Sequence, residues 1–445
     1  MRGPLHEVRS MKTSLMLFTR DLRLHDNPAL TLAAKAEHVV PLFVFDDRLL
    51  SRSPNRTRFL LDALDDLADT IAERGGRLVL RRGDPAEEAV RLARQAGAEH
   101  IYLATDVSDY AARRRATLRE SGVPFTECPG VTVVPPDDVK PGGGDHYKVF
   151  TPYWRAWSEA RWRSPAKLPG SLTPPDVEIA DHVGSETIAR AFAEDTSPGL
   201  VKGGETEGRR LVHAWLKSGI DRYDAQHDAL AADDTSHVSA YLRFGCVSPL
   251  ELAQAALKRE GGDPYARQLA WRDFYYQVGA AFPRLNRDDY RSRDRSWTDD
   301  DEAYDAWREG RTGYPIVDAG MRQLREEGWM HNRARLVTGS FLTRNLKIHW
   351  RRGLAHFDRW LVDGDFANNA GNWQWVAGTG NDTRPNRVMN PLRQSARFDK
   401  DGAYIRRYVP ELKDADAALL HKPWDLDRDL GYPPPIAELT HPSDT

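Results

Sequence analysis

The sequence predicts an α/β N-terminal domain built on a parallel sheet, followed by an all-α C-terminal domain. Three observations carry this reading. Over the first 135 residues, short β-branched or apolar runs alternate with longer helical patterns, and such alternation is the mark of a parallel sheet covered by helices. From about 206 to 425 the patterns are helical, broken by SP, GYP and NP punctuation. All thirteen tryptophans lie at or after Trp154, so composition changes between the two parts.

Strands are expected at 14–18 (SLMLF), 39–45 (VVPLFVF), 77–80 (RLVL) and 100–104 (HIYLA), with helices over 56–74 and 84–97. The stretch after the first strand, TRDLRLHDNPAL, has no glycine. A GxGxxG dinucleotide fingerprint needs glycines for close approach of the pyrophosphate. The sheet is therefore Rossmann-like without that fingerprint, and a P-loop is absent too. Residues 136–205 are rich in Pro, Gly and Ser and read as a connection, with one patterned island, VFTPYWRAW, at 149–157. The expected organisation is an α/β domain over 11–135, the connection over 136–205, the helical domain over 206–425 and a loosely packed, Pro-rich tail over 426–445. Met11 is a candidate alternative start.

The 445 residues are 40% apolar and 29% charged, as in soluble globular proteins. No apolar run approaches the roughly 20 residues that span a bilayer. No signal peptide is evident, and Cys128 and Cys246 alone cannot build a disulfide framework or a cysteine-rich metal site. A cytoplasmic protein with no membrane partner and no metal is expected. Net charge is −3, but His331 to Gly353 holds six Lys/Arg and no acid, and Arg384 to Arg407 holds seven basic residues against two acidic. Such local basic surface suits a polyanion or a solvated face about equally.

Four clusters concentrate chemistry. In TSHVS, Thr235, Ser236, His237, Val238 and Ser239 precede an apolar run, which reads as an ordinary helix cap or as a phosphate-binding helix start. RQLAWRDFYYQ contains Gln268, Trp271 and Arg272. GWMHNRARL contains His331, Asn332, Arg333, Arg335 and Leu336; a lone histidine of this kind is more often structural than catalytic. DGDFANNAGNWQW spans Asp363 to Trp375. There Asp365, Asn369 and Trp373 are spaced i, i+4, i+8 and would share one helix face, suited to a planar ligand with a polar edge. Gly371 and the asparagines weaken that helix and leave room for close approach by something flat.

Together with FTRDLRLHDNPAL, FTPYWRAW, GYPIVDAGMRQL and RRYVPEL, these clusters closely resemble the photolyase/cryptochrome flavoproteins, in the family's order from residue 13 to about 412. The subgroup most resembled is the class I cyclobutane pyrimidine dimer photolyases. The resemblance implies a helical domain that binds FAD. It assigns Tyr223 and Thr235 to Ser239 to the FAD phosphates and ribityl chain, with His237 where relatives often carry Arg. It assigns Asp363 and Asp365, supported by Arg335 and joined by Arg272, to the isoalloxazine, and Asn369 to flavin N5. Trp373, Trp350 and Trp297 match the electron-transfer chain. Gln268, Trp271, Arg272, Asn332, Leu336 and Trp375 match the lesion pocket.

Two departures stand out: Gln268 replaces a common Glu and Leu336 a common Met. Asn332, where a second histidine would stand, speaks against the (6-4) photolyases. The implied activity is repair of cyclobutane pyrimidine dimers in UV-damaged DNA by an electron from photoexcited FADH⁻, in a monomeric enzyme. An antenna chromophore is implied in the α/β domain, an 8-hydroxy-deazaflavin favoured over a methenyltetrahydrofolate, with Asp106 and Arg243 as contacts. The rival is a cryptochrome-type signalling flavoprotein without repair, disfavoured by the short stretch after VPEL and by the retained Trp271, Asn332 and Trp375. A third reading is a flavoprotein that binds nucleic acid without repairing it.

Overall fold

The computed structural model describes residues 11–439 apart from 181, 193, 233, 418 and 426–428. Five parallel strands form one sheet in the order β3-β2-β1-β4-β5. They are β1 (Thr13–Leu17), β2 (His38–Phe45), β3 (Val79–Arg82), β4 (His100–Ala104) and β5 (Phe125–Cys128). β1 is buried along its whole length, with Leu15 paired to Val40 on one side and Ile101 on the other. That is why its sequence is an apolar run rather than an alternation. β5 escapes the sequence reading because its middle, Thr126-Glu127, is polar and only partly buried at the sheet edge. The helices expected over 56–74 and 84–97 are Pro54–Ala72 and Pro85–Gln95, started by Ser53 and Asp84, whose side chains accept from backbone N–H groups of the first turn.

The glycine-free loop after β1 docks the sheet onto the helical half. Leu22 N–H donates to the Phe244 carbonyl at 3.2 Å, and the buried Arg23 donates to the Gly245 carbonyl at 2.9 Å. Glu205 accepts from the backbone of Leu24 (2.7 Å) and His25 (3.1 Å). Gly245 lies at φ 72°, and a Cβ there would sit 2.0 Å from the Arg20 carbonyl oxygen, so only glycine permits this approach.

The connection is tied down by one helix, Gly262–Ala281. Its Asp273 accepts from the backbone N–H of Val133 (2.9 Å) and Val134 (3.1 Å) and from Trp157 Nε1 (3.0 Å). Gln277 one turn later exchanges two hydrogen bonds with the backbone of Tyr147, at 2.7 and 2.8 Å. The expected island at 149–157 is the helix Phe150–Glu159, packed on this same helix. Residues 426–428 and 440–445 of the tail lie outside the described residues, and 429–439 are less loose than their composition implied. Ile436 N–H bonds the Thr312 carbonyl at 3.0 Å, and Tyr314 donates to the Ala437 carbonyl at 2.7 Å. Among the described residues no helix is long and apolar enough to cross a membrane.

Burial pushes the Asp273 carboxyl up to about 6, against the pull of Arg272 and its three N–H donors. A carboxyl raised in the folded state stabilises most at low pH, and that contribution is lost as pH rises through about 6. The stability difference between wild type and Asp273→Asn should therefore shrink by about 3 kcal/mol between pH 4 and pH 7. Parallel melting curves across that range would contradict the assignment.

Candidate active site

Helices Gly262–Ala281, Asn332–Ser340 and Phe366–Ala377, the short helix Ser239–Phe244 and the loops before them enclose a cavity of about 650 Å³. All of the sequence-derived residues Tyr223, Thr235 to Ser239, Gln268, Trp271, Arg272, Asn332, Arg335, Leu336, Asp363, Asp365, Asn369, Trp373 and Trp375 line it. Trp297, Trp350, Asp106 and Arg243 do not.

The acidic edge comes from residues 363–365. Asp363 is held by Arg335 in a two-point ion pair, at 3.1 and 2.8 Å, while Arg335 Nε donates to the Met330 carbonyl at 2.7 Å. Such forked pairing fixes orientation as well as charge. Asp365 is not inside a helix but caps one, accepting from Asn368 N–H at 2.8 Å at the start of Phe366–Ala377. Asn369 and Trp373 follow within that helix. Gly371 has a different purpose from the one its sequence implied. A Cβ there would meet Tyr275 at 2.1 Å, so the flat group that approaches it is a tyrosine of the neighbouring helix, not a ligand.

TSHVS is not a hydroxyl-capped helix start. The helix begins at Ser239 behind Val238, which makes no side-chain cap. His237 sits at φ 52° with its ring 4.4 Å from Trp329, and Ser236 accepts from Tyr265 at 2.9 Å. His331 is structural, as its isolation implied: Nδ1 accepts from Arg333 N–H at 3.1 Å and caps Asn332–Ser340.

The cavity mouth is aromatic and cationic. Trp271 stacks on Phe150 with centroids 3.7 Å apart and planes 8° from parallel, and Arg267 lies over Phe150 at 5.5 Å. Arg387 lies over Trp375 at 5.0 Å. Gln268 and Asn332 are exposed at this rim and Leu336 half-buried. Arg272 lines the cavity but spends its head group on the carbonyls of Val131 (2.6 Å) and Leu242 (3.3 Å), so it ties the end of the N-terminal domain to the helical half instead of offering a free cation. The basic run 331–353 is likewise less available than its charge implied. Arg333 pairs with Asp228 at 2.6 Å, Arg335 with Asp363, and Arg344 donates to the carbonyls of Val376 (2.9 Å) and Pro385 (2.7 Å).

Asp106 and Arg243 meet at one residue, Arg20. Arg20 pairs with Asp106 at 3.5 Å, lies 4.0 Å from Asp365, and donates to Tyr276 Oη and, at 3.3 Å, to the Arg243 carbonyl. Arg243 turns inward, donating to the Gly364 carbonyl at 3.2 Å, and burial with Arg56 and Arg20 nearby lowers its pKa to about 9. Both antenna candidates thus adjoin the back of the acidic edge.

Trp297 and Trp350 flank His349, with centroids 4.8 and 5.7 Å away. The helix Trp350–Trp360 rests on Trp373 at Gly353, where a Cβ would come within 2.1 Å of the indole. Sequence reasoning missed Phe150, Tyr265, Arg20 and Trp307, whose ring is 6.1 Å from Trp373. Phe150 lay in the recognised island and Arg20 in the motif FTRDLRLHDNPAL, though neither was singled out; nothing in the sequence marked Tyr265 or Trp307 as neighbours of the pocket.

Two family models match the chain, one described as DNA photolyase over residues 14–172 and one as the FAD binding domain of DNA photolyase over 265–444. The deoxyribodipyrimidine photo-lyase of Streptomyces griseus is 47% identical over 445 residues, covering 96% of this chain and 97% of its own. The solved class III photolyase of Agrobacterium tumefaciens superposes with a TM-score of 0.88 at 32% identity, covering 98% and 96% of the two chains. An archaeal photolyase from Sulfolobus tokodaii, solved with two FAD molecules, gives 0.86 at 31%, covering 96% of each. The chain belongs to the photolyase/cryptochrome family. Within it, the Streptomyces relative that matches nearly end to end bears the name deoxyribodipyrimidine photo-lyase.

The cavity fits FAD on its own chemistry. Thr235 Oγ1, Asn369 Nδ2 and Trp373 Nε1 all belong to its lining and are buried with no hydrogen-bond partner among the described residues. Buried polar atoms are rarely left so. They run from the hydroxyl-bearing TSHVS end to the acidic edge, which matches a ligand with phosphates at one end and a polar-edged ring at the other. Gly371→Ala should force Tyr275 aside, lower stability by about 1–3 kcal/mol and reduce retained FAD. A purified variant with an unchanged melting temperature and full flavin content would contradict this packing.

Proposed function

We propose that this chain repairs cyclobutane pyrimidine dimers in UV-damaged DNA, driven by light absorbed by reduced FAD. The observation that carries this reading is that the acidic–amide edge and the Trp271/Trp375 rim belong to a single cavity. When bound in its reduced form, FAD would supply light-driven one-electron chemistry, lent to the dimer and returned with no net redox change. The protein's part is binding, orientation and exclusion of water.

Asp363, locked by Arg335, and Asp365, fixed as a cap, present carboxylates to the ring edge. Asn369 offers its buried amide near N5, and an uncharged amide suits more than one flavin redox state. Tyr223 and Thr235 to Ser239 take the phosphates and ribityl chain. Trp271, backed by its stack on Phe150, and Trp375 form an apolar wedge for an extruded dinucleotide, and flipping a damaged pair costs less than flipping an intact one. Arg267 and Arg387 at the rim suit the flanking phosphates and make binding salt-dependent. Gln268 donates a hydrogen bond to the lesion but cannot give a proton, and Leu336 and Asn332 complete the rim. Trp373, Trp350 and Trp297 resupply electrons.

The domain division of the sequence reading goes with this assignment: antenna binding in 11–135, FAD and lesion binding in 206–425. An antenna chromophore of deazaflavin type, rather than a folate, would lie near Asp106 and Arg243. A flavin-like second chromophore accords with the two FAD molecules of the Sulfolobus relative. A cytoplasmic monomer is part of the same proposal.

The test is an oligonucleotide carrying one thymine dimer, incubated with the reduced protein in light and in dark. Restoration is expected only in light, and equal results in both would overturn the proposal. Gln268→Glu should keep or raise the repair yield. A loss beyond about tenfold, roughly 1.4 kcal/mol in the barrier, would mean the rim is built differently.

A further inference from the structure

Trp350 and Trp373 differ in one respect that the electron chain alone does not explain. Trp373 Nε1 is buried and has no hydrogen-bond partner among the described residues. Trp350 is fully buried, yet its Nε1–H donates to Asp289 Oδ1 at 2.8 Å. The loop that carries Asp289 is held rigidly. Gln374, next to Trp373 in sequence and fully buried, donates to the carbonyls of Leu285 (2.6 Å) and Asp288 (2.9 Å) and accepts from Tyr290 N–H (2.7 Å). The helix that presents Trp373 to the cavity therefore also holds the carboxylate against Trp350.

Resting on the reading that these indoles conduct, we propose that Asp289 is the proton acceptor that traps an electron hole on Trp350. The primary one-electron oxidant is a photoexcited flavin in its oxidised or one-electron-reduced form, which takes the electron from Trp373; the fully reduced form that acts in repair donates instead. When oxidised Trp373 takes an electron from Trp350, Trp373 is restored and Trp350 becomes a radical cation. Its Nε1–H bond breaks, the proton moves along the 2.8 Å hydrogen bond, and an O–H bond forms on Asp289. The products are a neutral indolyl radical and a carboxylic acid, so charge and electrons balance. Among the described residues no carboxylate accepts from Trp373 Nε1, so the protein offers its hole no proton acceptor like Asp289 and the hole passes on by electron transfer. Surrounding charges favour deprotonation at Trp350. The guanidinium of Arg351 lies 5.5 Å from the Trp350 ring and opposes a second positive charge there. His349 lies between Trp350 and Trp297, and burial and Arg351 lower its pKa against the opposite pull of Asp289 and Asp299.

The test places the hole on Trp350 by removing the next indole with Trp297→Phe, then follows the transient absorption of the FAD-loaded protein after a light pulse. The neutral and cationic indole radicals have different spectra, so the readout is the radical's protonation state and not repair. The Trp297→Phe protein should show a long-lived neutral radical. Adding Asp289→Asn keeps a hydrogen-bond acceptor but abolishes proton affinity. The radical should then stay cationic and decay by recombination about tenfold faster or more, the factor that one unit of lost proton affinity represents. Asp289→Glu should restore the neutral radical. Equal formation of the neutral radical with Asn at 289 would overturn the proposal. Absence of any indole radical in wild type would overturn the electron chain and the proposal with it, and so is distinguishable from failure of the proposal alone.

Discussion

The buried carboxylate of Asp273 is the tie on which the geometry of the pocket depends. It gathers two backbone N–H groups just before the connection, those of Val133 and Val134, and the Trp157 indole within it onto the helix Gly262–Ala281. One residue before it, Arg272 clamps the Val131 and Leu242 carbonyls, and one turn after it Gln277 holds Tyr147. The connection is thereby laid along the helix, and its Phe150 arrives flat against Trp271. A rim that must press on a base pair needs that backing. A tryptophan alone at an exposed edge would be free to change rotamer.

From this helix the constraint passes to Phe366–Ala377 through the contact of Tyr275 with Gly371, and from there to Trp350–Trp360 through Trp373 on Gly353. Both glycines sit where a single methyl would collide with an aromatic ring. Close packing of this kind leaves few soft directions. The polar atoms on the wall are held by the same contacts: Asp363 by Arg335, Asp365 by its cap, and the 285–290 loop by Gln374. Arg20 joins the N-terminal domain to this arrangement by lying between Asp106 and Asp365. The two domains therefore share charged groups at the acidic edge.

Much of this was legible in the sequence, for identifiable reasons. The buried strands declared themselves because β1 and β2 are covered on both faces and so carry the unalternating apolar runs Leu15–Leu17 and Val39–Phe45. β5 did not, because an edge strand can be polar. The lining residues were legible as motifs because their chemistry is clustered along the chain. Their roles were less so. Gly371 read as space for a ligand and proved to be space for Tyr275, since neighbours from another helix leave no trace in local spacing. Arg333 and Arg344 read as part of a basic surface and Arg272 as a pocket residue, yet carbonyl and carboxylate partners distant in sequence occupy all three head groups. Asp289 lay in a charged stretch with nothing to distinguish it until folding placed Trp350 beside it.

The central claim is that the cavity between TSHVS and DGDFANNAGNWQW is built around FAD. A crystal structure of the FAD-loaded protein tests it most directly. The account predicts one dinucleotide in that cavity, with its phosphates beside Thr235 to Ser239, its ring at Asp363, Asp365 and Asn369, and partners gained by Thr235 Oγ1 and Asn369 Nδ2. Flavin density elsewhere, for instance in the second cavity lined by Arg209, His213 and Lys258, with those two atoms still unpaired, would contradict it.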